Sequence, residues 1–392
     1  MTEKILHAFE AGRRGKPDEL DTSIANLISS YFLNINPLAR FDVRVSGSFK
    51  QNKPFVHVSG EIQETLLHHP IEKSIKHVIL NQYNSVHKTA LKDIETEFNF
   101  KPQSTPLAEN TCSGDSGYPL AVAYKNTPYH LPWERFLAVE IRNIIDTIYQ
   151  HDGVVPEWLA QHCTISSLKG LRADGKIGVE AIYEGVHLDH LRSITIATEH
   201  EKTLPVEKLR TDLSKLITTY LQLLEEDHTL HFGKPTLHIN TLGDWNEGGG
   251  WQGDEGSREA KPYRDGFGSH GCLEDSFSGE DPTKPSATGS FLARNIAVNI
   301  VANNWADFAK VTLTYTIGLE EVGINIITHE TGKKSQQELE LWAQKKFPFG
   351  IKEAIDLFTL RDPPLYKTFA ETSDFFHNPQ YPWNNKRIKI KE

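Results

Sequence analysis

The sequence predicts an α+β protein made of three similar helix–strand–strand–helix units in a pseudo-threefold arrangement, with sheets partly buried in a subunit interface. Three observations carry this. A helical apolar stripe, two alternating segments and a second helix recur three times in the same order. The first strands of the copies start at Phe41, Ile177 and Val311, roughly 135 residues apart. Clean alternation in the strands leaves one sheet face packed and one free, and a free face of this kind suits a partner subunit.

In the first copy, Leu20, Ile24, Leu27, Ile28 and Tyr31 share a helical face entered through Pro17-Asp18, where proline pre-sets the helical φ. Phe41-Val43-Val45 and Phe55–Ile62 alternate as strands around a polar stretch at Asn52. A second helix begins near Pro70 with Ile71, Ile75, Val78 and Ile79. In the second copy, Leu137, Ile141, Ile144, Ile145 and Ile148 repeat the first helix, and Asp152-Gly153 ends it. Ile177-Val179-Ala181 and Leu191–Thr198 are its strands, and Pro205 opens a long helix through Leu209, Leu213, Leu216, Ile217 and Tyr220. The third copy has Leu292, Ile296 and Ile300, then strands Val311–Ile317 and Ile324–Thr328, and a capping box from Ser335 to Glu338. The units divide the chain into residues 1–106, 107–227 and 228–392. Two segments fall outside the repeat: polar Lys101–Ser113, expected as a mobile loop, and a long glycine-rich acidic insertion at 241–288, expected to be functional.

Of 392 residues, 38% are hydrophobic and 24% charged, which suits ordinary globular domains. Forty-two Lys and Arg against 52 Asp and Glu leave a net charge of −10, which argues against a duplex nucleic-acid binder but not against a local phosphate pocket. No apolar run reaches the ~18 residues of a membrane span, and Met1–Leu20 is charged without a signal-type core. Cys112, Cys163 and Cys272 are odd in number, far apart and free of C-x-x-C, so reduced thiols and a cytoplasmic location are expected.

Several short motifs carry chemistry. Gly114-Asp115-Ser116-Gly117-Tyr118-Pro119 resembles the nucleophile loop of chymotrypsin-type proteases, but that chemistry needs an upstream histidine base and the His162-Cys163 pair lies downstream. Gly248–Gly256 is a glycine run with acidic residues and no Walker A ending. Gly15-Lys16-Pro17-Asp18 puts a cation, an anion and free backbone N–H groups at a helix start, which suits phosphate with Mg2+, although taken singly it is an ordinary helix entry. Leu171–Lys176 holds an Asp-Gly turn ahead of a strand. The pairs His68-His69, His187/His190 and His228/His231 lack acidic or cysteine partners at ligand spacing and read as solvated surface histidines.

Together these segments resemble the S-adenosylmethionine synthetases (methionine adenosyltransferases). The resemblance runs in order through Gly15–Asp18, Gly60-Glu61-Ile62, Gly114–Gly117, Leu171–Lys176, Ala197–His200, Gly248–Gly256, Phe277–Lys284, Tyr315–Gly318 and Tyr381-Pro382-Trp383. It implies that methionine sulfur attacks C5′ of ATP and expels triphosphate, which is then cleaved. It further implies that Glu61, Asp254 and Gln103 bind methionine, and that Asp115, Asp174 and Trp245 line the adenosine side. Lys16, Lys176, Lys261 and Lys284 would meet phosphate oxygens, Asp18 would ligate Mg2+, and the chain would form a homodimer or homotetramer.

The departures from the family pattern concern charge. Lys16 stands in place of a histidine and Glu19 in place of a lysine. Arg44 stands at the expected K+ ligand, Glu280 at a phosphate-binding lysine, Ser286 at a second metal aspartate, and Asp244 and Ala260 at arginines. Arg13 and Arg14, beside the first motif, and Arg258 and Arg264, beside Lys261, are compensating cations. Arg44 would replace bound K+ by a fixed guanidinium. Two alternatives stay open: a catalytically impaired paralog acting as a nucleotide-binding or regulatory subunit of a true synthetase, and a related adenosyltransferase with an altered acceptor.

Overall fold

Alternating apolar residues pair most cheaply through short turns, and the three expected strand pairs form three antiparallel hairpins. The computed structural model describes residues 4–108, 110–165, 167–228, 230–258 and 261–386. β1 is Lys4–Gly12, β2 Phe41–Lys50, β3 Lys53–Ile62, β4 Glu95–Pro102 and β5 Leu120–Tyr124. β6 is Leu171–Glu184, β7 His187–His200, β8 Thr236–Ile239, β9 Phe308–Thr314 and β10 Gly323–Ile327. β2 and β3 close through Gln51 and Asn52, both at positive φ, the twist that a two-residue hairpin needs. Strands β6 and β7, and β9 and β10, are likewise antiparallel neighbours.

The α+β class holds, and three sheets are present among the described residues. Their orders are β2-β3-β4, β1-β6-β7-β8 and β10-β9-β5. Four strands beyond the hairpins complete them. β4 and β8 add in parallel to the second strands of their hairpins. β1 and β5 add antiparallel to β6 and β9, so hydrogen bonding crosses the expected boundaries at 106 and 227. Both are short segments whose partners lie more than 150 residues on, a pairing that no local pattern encodes.

Three helices fill the centre. In Pro17–Ile35, Trp133–Gln150 and Pro285–Ala302, the apolar stripes of Leu20, Ile24 and Ile28, of Leu137, Ile141 and Ile145, and of Leu292, Ile296 and Ile300 are buried. Their polar faces are buried too, with Asp18, Glu19, Arg142 and Arg294 all enclosed. Such groups are tolerated only when partnered: Asp18 and Glu19 form ion pairs, while Arg142 and Arg294 donate to backbone carbonyls. The capping box at Ser335 and Glu338 forms as expected. Lys101–Ser113 is less loop-like than expected, because β4 runs to Pro102 and Thr105–Ala108 forms a helical turn. Before Pro285 the 241–288 insertion has only short helical turns among its described residues but is anchored: Gly256 donates to Gly47 O at 2.9 Å, and the Trp251 indole donates to Asp21 at 3.0 Å.

Candidate active site

Two central helices begin in the same way. Pro17–Ile35 is entered from Lys16 at φ −63, ψ 136, and Pro285–Ala302 from Lys284 at φ −69, ψ 132. Each has proline in its first turn and no side-chain cap. The first-turn N–H groups thus keep the positive end of the helix dipole beside a lysine, an arrangement that favours anions.

Around Lys16 the charges are already paired. The Lys16 ammonium donates to Asp18 Oδ1 at 2.8 Å, and the Arg264 guanidinium sits on Asp18 Oδ2. Glu19 takes Lys261 at 2.6 Å and Arg264 at 3.2 Å, and Lys261 also meets Asp265 at 3.3 Å. Burial pulls the Lys261 ammonium down, but Asp265 and Glu19 outweigh it and hold it above its ordinary value. Burial, with the charge of Arg264, lowers Lys16. Lys176, on β6, pairs with Glu10 on β1 at 3.1 Å. The bases Lys16, Lys176, Lys261 and Arg264 are thus each ion-paired within a group of Glu10, Asp18, Glu19 and Asp265, and Arg142 bears on Glu19 as well.

Around Lys284 a second group forms at one end of the β2-β3-β4 sheet. Asp42, Glu61 and Lys101 are cross-strand partners in a single row. Gln103 follows β4, its N–H donating to Ile62 O at 2.9 Å, and its Oε1 is buried without a hydrogen-bond partner among the described residues. Asp42 binds Arg258 at 2.6 Å and Lys284 at 3.5 Å, while Lys284 binds Asp115 at 2.8 Å. Burial lowers the Lys284 ammonium, but Asp115 and Asp42 raise it further. Residues 279–281 run along the edge of β2, which bridges Glu280 to Asp42. Glu280 is 5% exposed, and Ser286 donates to it. Burial pushes its carboxyl up to about 8, Arg258 opposes this, and Asp42 and Asp275 add to it. At neutral pH Glu280 is therefore mostly protonated, and the charge reversal read from the sequence is largely cancelled.

The remaining expected residues separate. Glu61 and Asp254 are exposed, and among the described residues Asp254 accepts only the neighbouring Glu255 N–H, at 2.9 Å. Asp174 is buried and spends both oxygens on backbone, Gly175 N–H at 2.6 Å and Gly250 N–H at 2.7 Å, which ties β6 to the glycine loop. Trp245 is half-buried and hydrogen-bonded through its backbone to His200. Arg13 is fully enclosed, bound to Asp146, Thr198 and the carbonyls of Arg172 and Asp174, so it braces β6 and is withheld from a phosphate. Arg14 lies beside Asp146 and Arg142, on that same structural side. Arg44 is exposed on β2. Ala260 lies outside the described residues. The sequence reading missed Asp42, Glu10 and the Trp251–Asp21 bond. Asp42 had a local signal, since it shares the strand phase of Arg44.

A resident Mg2+ does not fit these donors. Both oxygens of Asp18 are taken by cations, Ser286 offers only a hydroxyl already given to Glu280, and no group of three or more metal-ligating side chains converges among the described residues.

Sequence comparison finds relatives along nearly the whole chain. The family described as S-adenosylmethionine synthetase, C-terminal domain, matches residues 248–385. The chain is 27% identical over 403 residues to an S-adenosylmethionine synthase of Wolinella succinogenes, covering 98% of this chain and 96% of that one. It is 27% identical over 399 residues to the S-adenosylmethionine synthase of Aquifex aeolicus, with 99% and 98% covered. With that of a Nitratiruptor species it shares 25% over 403 residues, 98% and 96% covered.

Proposed function

We propose, from the premise that this chain is a divergent member of the S-adenosylmethionine synthetase family, that it forms S-adenosylmethionine from ATP and methionine with release of triphosphate. The observation that carries the reading is the pair of uncapped Lys-Pro helix starts, each a lysine at a positive helix end. In the reaction the methionine sulfur lone pair forms the S–C5′ bond as the C5′–O bond breaks, and the triphosphate leaves with the electron pair. Sulfur becomes a sulfonium and no proton has to be removed. The protein's task is positioning and stabilising negative charge.

The residues divide accordingly. Glu61 would hold the methionine ammonium beside Gln103, while Asp254, whose loop is tied to Gly47 further along β2, would not share it within one chain. Trp245 and Asp115 would face the adenosine. As phosphate arrives it would take Lys284 from Asp115, while Lys16 and Arg264 would meet it without leaving Asp18, so fixed cations would stand where Mg2+ serves the family. Lys176 and Lys261 would complete that end. Protonated Glu280 could donate a hydrogen bond where an ionised one would repel. We further propose a cytoplasmic homodimer or homotetramer.

The test is incubation with ATP and methionine, following S-adenosylmethionine, triphosphate, pyrophosphate and phosphate separately. S-adenosylmethionine with accumulating triphosphate is expected, since the altered charges gather at the triphosphate end. A folded protein giving no S-adenosylmethionine overturns the proposal. One observation favours a second reading, a non-catalytic subunit of a true synthetase. Each base around Lys16 is already ion-paired, so a polyphosphate would have to displace an acid to reach it.

A further inference from the structure

Lys16 and Lys284 begin their helices alike, yet they are anchored differently. Lys16 donates to Asp18, two residues on in its own helix, at 2.8 Å. The residue two after Lys284 is Ser286, whose hydroxyl goes to Glu280 instead. Lys284 therefore takes its carboxylates from elsewhere in the fold, Asp115 at 2.8 Å and Asp42 at 3.5 Å.

These two carboxylates are not held alike. The Asp115 side chain is 50% exposed, in the Gly114–Gly117 segment. Asp42 lies in β2, cross-strand from Glu61 on one side and bridged to Glu280 on the other. Hydrogen bonds flank that bridge, from Asp281 N–H to Phe41 O at 2.9 Å and from Val43 N–H to Gly279 O at 2.8 Å. Gly279 has φ +85, and a Cβ there would fall 2.1 Å from Val43 O, so this close approach needs glycine. The side chain is fixed as well: Arg258, fully buried, binds Asp42 Oδ1 at 2.6 Å. A rigid strand and a pinned Oδ1 leave Oδ2 in a set place beside the Lys284 ammonium.

We infer that Asp42 is a positioning residue for adenosyl transfer, whose second oxygen keeps the Lys284 ammonium aimed at the leaving triphosphate once phosphate has drawn that lysine from Asp115. The inference rests on the adenosyltransferase reading. Lysine carries its charge on a flexible four-carbon stem, and a misplacement of about 1 Å can lower a rate ~10²-fold. Asp42 itself repels phosphate, so its charge weakens nucleotide binding while it improves aim. Those opposite effects give it a signature that a merely structural carboxylate lacks.

The test is steady-state kinetics of S-adenosylmethionine formation by the full chain at pH 6.5, where Glu280 keeps its proton. Asp42→Asn preserves the shape and removes the charge. Its kcat should fall roughly 10–100-fold, while KM for ATP stays level or falls, because one negative charge near the triphosphate is gone. Asp42→Glu keeps the carboxylate that buried Arg258 needs, so it reads the position even if Asp42→Asn misfolds. It moves that carboxylate by one methylene and should lower kcat about threefold or more at unchanged KM. In a Lys284→Ala background either change should lower kcat by less than about twofold, since the two residues act as a unit. Unchanged kcat in the variants that fold, a rise in KM alone, or equal losses with and without Lys284 overturns the inference and leaves the adenosyltransferase reading standing. A folded wild type that forms no S-adenosylmethionine overturns both.

Discussion

Replacing Glu280 by glutamine should stabilise this protein, and by more as the pH rises. The carboxyl is 5% exposed, bridges β2 at Asp42 and is held up to about 8 from an ordinary 4.5, by burial first and by Asp42 and Asp275 next. Arg258 opposes the shift and Ser286 donates to the carboxyl. Lys284 is the other charge that senses it. Below pH 4.5 the group is protonated whether the chain is folded or unfolded and contributes nothing. Between 4.5 and about 8 the folded chain keeps a proton that the unfolded chain has lost, so stability falls as pH rises, and above 8 the loss is complete. At about 1.36 kcal/mol per pH unit the full loss is at most about 5 kcal/mol, and relaxation around the carboxylate should leave about 2–4 kcal/mol. Glutamine mimics the protonated carboxyl at every pH. Urea unfolding of wild type and Glu280→Gln from pH 5 to 9 should therefore show near-equal stability at pH 5 and a gap that widens to a plateau near pH 8. A gap that does not change with pH, or that favours wild type at pH 9, refutes the argument.

Other substitutions test the charge arrangement. Lys284→Ala should lower the rate of S-adenosylmethionine formation by about 10²–10³-fold, the effect of losing one preorganised charge on a leaving group; a change in KM alone would show that Lys284 binds without stabilising the leaving triphosphate. Arg264→Ala leaves Asp18 and Glu19 one cation short and should lower the rate of S-adenosylmethionine formation by about 10²-fold; tight Mg2+ binding by the nucleotide-free wild type would contradict the pairing argument. Exchanging K+ for Na+ should leave the wild-type rate unchanged, while Arg44→Glu should make it rise with K+; a strictly K+-dependent wild type removes Arg44 from that role. Trp251→Ala opens a cavity between Tyr83 and Gly47 and leaves Asp21 without its indole donor, which should cost about 3–5 kcal/mol in urea unfolding; a loss under about 1 kcal/mol would mean that the glycine loop is not anchored there.

The sequence by itself determined the three hairpins and the three central helices. Strand and helix periods are local properties, and each apolar residue on a period records its own burial, as Val43, Val45, Ile141 and Ile296 do. It also determined which residues were worth examining, because Lys16, Lys284 and Asp115 sit in motifs whose chemistry follows from residue type. Only the tertiary structure decided where those charges go. Arg13 and Lys261 are both buried cations beside motifs, yet one braces β6 through Asp146 and Thr198 while the other meets Glu19 and Asp265 at the head of a helix. Glu280 reads as a reversed charge until burial is known, and burial keeps it protonated. β1 and β5 join sheets whose other strands lie far along the chain. In each case the deciding quantity is a pairing or a desolvation that depends on atoms brought together from distant parts of the sequence, and no local pattern carries that information.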